Sequence, residues 1–159
     1  MDRGVERDAG CQRARQGKRR AADANALADG LPLTPLQKKL IAQVDEVGVR
    51  WAERAFAHDR DASFPTENFQ DLHKMGFFGL CVPERLGGMG ADYRTYMLVA
   101  SRIGYYCGST ANTFNMHNAN ALWTASMVDA LDMTPEQRSQ HEHNRAIHYG
   151  NMLQGAIYA

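Results

Sequence analysis

The chain has 159 residues, 44% hydrophobic and 23% charged, and its 18 basic and 18 acidic residues cancel to a formal net charge of +0. This length allows one domain with a real core and no disulfide or metal staples. The balance argues against a nucleic-acid partner, because phosphate recognition needs a net basic surface.

Residues 1–30 interleave Arg13, Arg15, Lys18, Arg19 and Arg20 with acids, Gly and Ala, and hold almost no bulky apolar side chain. Such a segment cannot offset its ordering entropy and is expected to be a disordered tail. Asp2, Glu6, Asp8, Asp23 and Asp29 spoil the acid-poor pattern of a transit peptide, and no apolar stretch of signal-peptide length is present. An extended start to the chain is the preferred reading. The three cysteines, Cys11, Cys81 and Cys107, are far apart. An odd count without CxxC spacing gives neither a zinc site nor a disulfide framework, so a cytoplasmic protein is expected.

The ordered part begins at Leu31-Pro32-Leu33-Thr34-Pro35, where Thr34 suits an N-cap and Pro35 the first helical position. Leu36, Leu40, Val44, Val47, Trp51 and Ala55 follow at steps of three and four, one apolar face of a first helix. Glu46 and Arg50 lie off that face as an i,i+4 pair. Ser63-Phe64-Pro65 announces a second helix with Phe69, Leu72, His73 and Met75 on its apolar side, and Gly76 closes it at C′. Phe77 to Val82 is an apolar run too short for its own helix, and Pro83 to Gly90 is rich in turn residues. Gly87-Gly88-Met89-Gly90 lacks the GxGxxG and GKS/T patterns, so it reads as a tight turn and not a phosphate cradle.

Asp92 can cap a third helix with Tyr93, Tyr96, Met97, Ala100, Ile103 and Gly104 on one side; Gly108-Ser109 breaks it and caps a fourth. Thr134-Pro135-Glu136-Gln137 opens a fifth with a capping box. With no alternating strand pattern and no repeat, the fold class is an all-α bundle of about five helices.

The fourth helix is the most informative piece. Ser109 to Val128 carries no charge, yet it holds Asn112, Asn115, Asn118, Asn120 and His117. So many amides exclude a membrane span, and a helix uncharged all round is expected to be buried. Spacing sorts it into a stripe of Asn112, Met116, Ala119 and Trp123, and a neighbouring one of Thr113, His117, Asn120 and Thr124. Two readings stand: a core helix with satisfied polar groups, or a helix that turns one stripe to a ligand cavity or second domain. His117 has no Ser, Cys or carboxylate near it in sequence, so it reads as a satisfied core histidine and not a general acid or base. His141 and His148 share a face of the fifth helix. HExxH and Glu-x-x-His spacings are absent, and Gln137, Arg138 and Arg145 around them suggest a solvated face, so no metal site is expected.

Residues 64–90, from Phe-Pro through Gly-Leu-Cys-Val-Pro-Glu-Arg-Leu-Gly-Gly-Met-Gly, resemble the N-terminal signature of the acyl-CoA dehydrogenase family. Gly108-Ser109-Thr110 and Met116-His117 also fall where that family has similar residues, and the similarity covers about residues 34–159. The resemblance implies an N-terminal helical domain, here residues 31–155, followed by a β-barrel and a C-terminal helical bundle, with 156–159 as the start of a truncated middle domain. It implies FAD bound between the later domains, usually in a homotetramer, and α,β-dehydrogenation of an acyl-CoA thioester. In that reaction a glutamate takes the α-proton, flavin takes the β-hydride, and an electron-transferring flavoprotein reoxidises the flavin. The glutamate and the Thr-Glu-Pro and Gly-Ser-Asp flavin loop are expected beyond this chain, so no catalytic residue is assigned and the chain alone is expected to be inactive. The fourth helix of the family closes the far end of the acyl-tail pocket, which places Asn112, Thr113, Met116 and His117 at the substrate and Tyr158 near the flavin. Polar Asn112, Asn115 and His117 also leave open the monooxygenases and nitroalkane oxidases of the same fold. A stand-alone helical interaction module is the non-enzymatic alternative.

Overall fold

A computed structural model describes residues 32–158, apart from the side chains of 126–129. The expected tail 1–30 lies outside the described residues. Five α-helices account for most of the rest: α1 Pro35–Arg60, α2 Thr66–Lys74, α3 Tyr93–Tyr106, α4 Gly108–Ala130 and α5 Pro135–Leu153. Two 3-10 turns, Phe77–Gly79 and Glu84–Leu86, lie between α2 and α3, and no strand occurs among the described residues. The all-α expectation holds.

The sequence signals explain most boundaries. α1 starts at Pro35. The Asp92 carboxylate accepts the Thr95 N–H at 2.8 Å and caps α3. At α5, Thr134 Oγ1 accepts the Gln137 N–H at 3.3 Å while Gln137 Oε1 accepts the Thr134 N–H at 3.0 Å, completing the capping box. Gly76 takes φ 77 just past the Met75 C-cap of α2, a conformation that costs little only without a Cβ. The break between α3 and α4 is shorter than expected: Cys107 alone links them in extended conformation, and α4 begins at Gly108.

Trp51, Leu40, Val44, Leu72, Phe77, Leu80, Val82, Val99, Ile103, Phe114, Tyr149 and Met152 form the core. Fully burying one aliphatic or aromatic side chain contributes about 1.5–3 kcal/mol. The expected inward face of α1 holds at Leu40, Val44 and Trp51, with Val47 and Ala55 packed against the core, and departs at its first residue. Leu36 is 45% exposed while Gln37 is 3% exposed and donates to Thr95 Oγ1 at 3.0 Å, so the face runs through Gln37, Leu40, Val44, Gly48 and Trp51. Gly48 makes this possible, since a Cβ there would collide with the Tyr106 ring. Arg50 reaches Asp71 on α2 at 3.7 Å.

Of the residues expected on a solvated face of α5, Gln137 and Arg138 are exposed but Arg145 is not. Arg145 is 3% exposed, pairs with Glu142 at 2.6 Å and approaches the Ala125 carbonyl at 3.5 Å, so it pins α5 to α4. Tyr149 does the same one turn later, donating to the Ala121 carbonyl at 2.8 Å. His73, expected on the apolar side of α2, is exposed and bonds the Leu153 carbonyl at 3.1 Å. Tyr93 and Met97 of α3 are exposed, while Tyr96, Ala100 and Ile103 are buried.

Candidate functional site

The candidate site is the outer side of α4. Helix α3 lies tightly against α4: a Cβ at Gly104 would sit 3.4 Å from the Ala111 Cβ, and Tyr96 donates its hydroxyl to the Asn115 side-chain oxygen. The inner side of α4 consists of Thr110, Phe114, His117, Asn118 and Ala121, all buried. Thr110 accepts from Asn68 Nδ2 at 2.8 Å and lies 3.1 Å from Cys107 Sγ, while Asn68 Oδ1 accepts from Arg54 at 2.7 Å. These bonds join α1, α2 and α4. The sequence signal for Asn68 was its place one turn ahead of Leu72 on the apolar side of α2, where a polar residue needs partners.

The expectation that α4 is buried all round is wrong. Asn112, Ala119 and Asn120 are exposed, Met116 is 51% and Trp123 69% exposed, and Thr113 and Asn115 are half-buried. The stripe Asn112–Met116–Ala119–Trp123 is therefore an uncharged outer face. An ordinary wet helix face carries charge. An uncharged face with a methionine and a tryptophan turned outward has the composition of a surface that another surface or a ligand covers.

His117 lies on the other side of the same helix and is 1% exposed. Its Nε2 is 2.9 Å from the Phe78 carbonyl oxygen, and its Nδ1 receives the Tyr158 N–H at 3.2 Å. Both ring nitrogens are committed to backbone, as a satisfied core histidine requires, so it offers no polar atom to a substrate. Burial holds its pKa below the usual histidine value, the Phe78 bond partly opposes this, and the nearby His148 adds to the lowering. Tyr158 packs its ring 4.2 Å from that of His148, and its hydroxyl lies 3.4 Å from Asn151 Nδ2.

Two further features bear on cofactors. The amides of Gly87, Gly88, Met89 and Gly90 bond the carbonyls of Glu84, Pro83, Gly79 and Val82 at 2.9, 3.3, 2.9 and 2.8 Å. A phosphate would find none of them free. Cys81 and Cys107 are buried free thiols, and burial, with Asp92 nearby, pushes the Cys81 thiol up to about 12.

Among the described residues, the structure is thus a helical domain whose fourth helix exposes an uncharged stripe, Asn112–Met116–Ala119–Trp123, that carries no nucleophile or carboxylate. Residues 34–140 match the acyl-CoA dehydrogenase N-terminal domain, and the chain belongs to that family. A dibenzothiophene monooxygenase of Mycolicibacterium goodii is 32% identical over 95 residues, 60% of this chain and 22% of the relative. Cyclohex-1-ene-1-carbonyl-CoA dehydrogenase of Syntrophus aciditrophicus is 38% identical over 80 residues, 50% of this chain and 19% of the relative. The mitochondrial short-chain specific acyl-CoA dehydrogenase of Mus musculus is 33% identical over 61 residues, 38% of this chain and 15% of the relative. The matches thus span about a fifth of these relatives' length. No solved structure matches the chain. No helix among the described residues is long and apolar enough to cross a membrane.

Proposed function

We propose that residues 31–155 are the N-terminal helical domain of an acyl-CoA dehydrogenase-like flavoenzyme, and that the outer face of α4 closes the far end of its acyl-tail pocket. The observation that carries this reading is the uncharged stripe Asn112–Met116–Ala119–Trp123, exposed on a helix whose other side is packed core. Asn112, Thr113 and Met116 would touch the tail. His117 would shape the pocket through the backbone it holds, since both of its nitrogens are taken.

In the same proposal, Tyr158 begins the approach to FAD, which when bound takes up the substrate hydride. The half-buried Tyr158 ring fits a neighbour of the flavin. The Gly87–Gly90 turn does not fit a holder of the diphosphate, because its amides are used internally. The catalytic glutamate, the barrel, the tetramer contacts and the electron-transferring flavoprotein surface are assigned to the part of the relatives that this chain does not match.

A second reading keeps the fold and changes the reaction. Several relatives named dibenzothiophene monooxygenase match this chain, and Asn112, Thr113 and Asn120 beside Met116 suit a compact, partly polar substrate better than a long alkyl tail. The test is a full-length protein carrying this domain, loaded with FAD. Bleaching of the flavin by an acyl-CoA under anaerobic conditions supports the dehydrogenase. A flavin inert to acyl-CoA but consuming oxygen once reduced supports the monooxygenase. Purified chain 1–159 is expected to bind no FAD tightly; a yellow, stoichiometric flavoprotein would contradict the assignment of the flavin site to other domains. Full-length protein without flavin in either case would favour a helical interaction module.

A further inference from the structure

Three parts of the fold meet at one imidazole. A carbonyl oxygen only accepts and a backbone N–H only donates, so the bonds of His117 to Phe78 and Tyr158 allow one neutral form: the proton on Nε2 and the lone pair on Nδ1. Phe78 belongs to the 3-10 turn behind α2 and His117 to α4, while Tyr158 follows the end of α5. The chain leaves α5 through Gly155, at φ 108, with its amide bonded to the Met152 carbonyl at 3.1 Å and that of Ala156 bonded to the Asn151 carbonyl at 2.9 Å. This turn brings the Tyr158 ring over His148, whose Nε2 is buried without a hydrogen-bond partner.

We propose that His117 is a positioning residue: its neutral Nε2–H form clamps the Phe78 turn to the Tyr158 backbone and so fixes the direction in which the chain leaves the helical domain. The clamp is open to titration. A proton on Nδ1 would point at the Tyr158 N–H, donor against donor, and break that arm while leaving the Phe78 arm intact. Among the described residues, the titratable groups around it are His148 from α5 and Tyr158 itself, with His73 of α2 against the Phe78 ring. None is a carboxylate that would compensate an imidazolium. The unfolded chain takes up this proton near pH 6.5, the folded chain only at lower pH because burial disfavours the charged ring. The clamp therefore contributes stability that is complete above about 6.5 and is lost as pH falls toward the folded value. In the flavoenzyme reading the clamp aims the chain at the flavin loop; the clamp itself does not rest on that reading, and its test uses no flavin.

The experiment is nitrogen-15 NMR of the 1–159 chain. The ring shifts of His117 above pH 7 are expected to report the Nε2–H tautomer. The protection factor of the Tyr158 amide, taken against its intrinsic exchange rate at each pH, is expected to fall about tenfold as His117 titrates, the loss of one hydrogen bond of ordinary net strength. His117→Gln, whose amide can donate and accept at any pH, should keep Tyr158 protected and abolish the pH step. An Nδ1–H tautomer, a protection factor that stays flat while His117 titrates, or the same step in the variant would each overturn the clamp. If His117→Gln does not fold, the tautomer and the wild-type titration decide.

Discussion

Asn68 offers the clearest test of how the helices around the candidate site are tied together. It is fully buried, accepts from Arg54 at 2.7 Å and donates to Thr110 at 2.8 Å. Asn68→Ala removes both bonds. The fully buried Thr110 hydroxyl loses a partner inside the domain, a loss of about 1–3 kcal/mol. The Arg54 bond counts for less, because that side chain is 32% exposed and lies 3.6 Å from Asp71. The space left by the carboxamide adds roughly 1 kcal/mol. The expected destabilisation is about 2–4 kcal/mol, read from urea unfolding followed by circular dichroism with the slope unchanged. Thr110→Val should cost less alone and couple to Asn68→Ala by about 1 kcal/mol in a double-mutant cycle. A loss below about 0.5 kcal/mol, the size of a neutral surface change, or strict additivity would refute the network.

Two predictions concern the turn and the thiols. Gly88→Ala places a Cβ into the Val82 carbonyl, so the turn must part and give up its Gly90–Val82 bond; a loss of about 2–3 kcal/mol is expected, and a melting temperature equal to wild type would contradict the packing. Cys81, 5% exposed with its thiol pushed up to about 12, should resist iodoacetamide at pH 8 until the chain unfolds, and peptide mapping that finds it alkylated in native protein as fast as in urea would show otherwise.

What the sequence made legible follows from which signals are local. Caps and turns depend on a few neighbouring residues, so Asp92, the Thr134–Gln137 box and Gly76 could be assigned from the sequence. Faces depend on partners distant in sequence. Leu36 and Gln37 differ by one helical step, and only the presence of Thr95 opposite makes the glutamine the inward residue. Arg145 looked solvated because a guanidinium usually is, and its burial needed Glu142 and the α4 backbone. On α4, absence of charge was equated with burial inside this domain. A helix face can lack charge without being covered by the core of its own domain, and Met116 and Trp123 point outward. His117 could be assigned to the core from its lack of nearby catalytic partners, but its link to Tyr158 spans 41 positions and has no sequence signature.

The proposed function rests most directly on the outer stripe of α4 lining a substrate pocket. The direct measurement is the ratio of kcat/KM for short and long acyl-CoA substrates in full-length enzyme bearing Met116→Trp or Met116→Ala. Met116 is exposed and flexible, so either change leaves the packed side of α4 untouched. Tryptophan should shorten the preferred chain and alanine should lengthen it, each buried methylene being worth about 0.8 kcal/mol, or roughly fourfold in the ratio. If both variants stay folded and active with the wild-type ratio, the stripe does not touch the acyl tail and the pocket assignment fails.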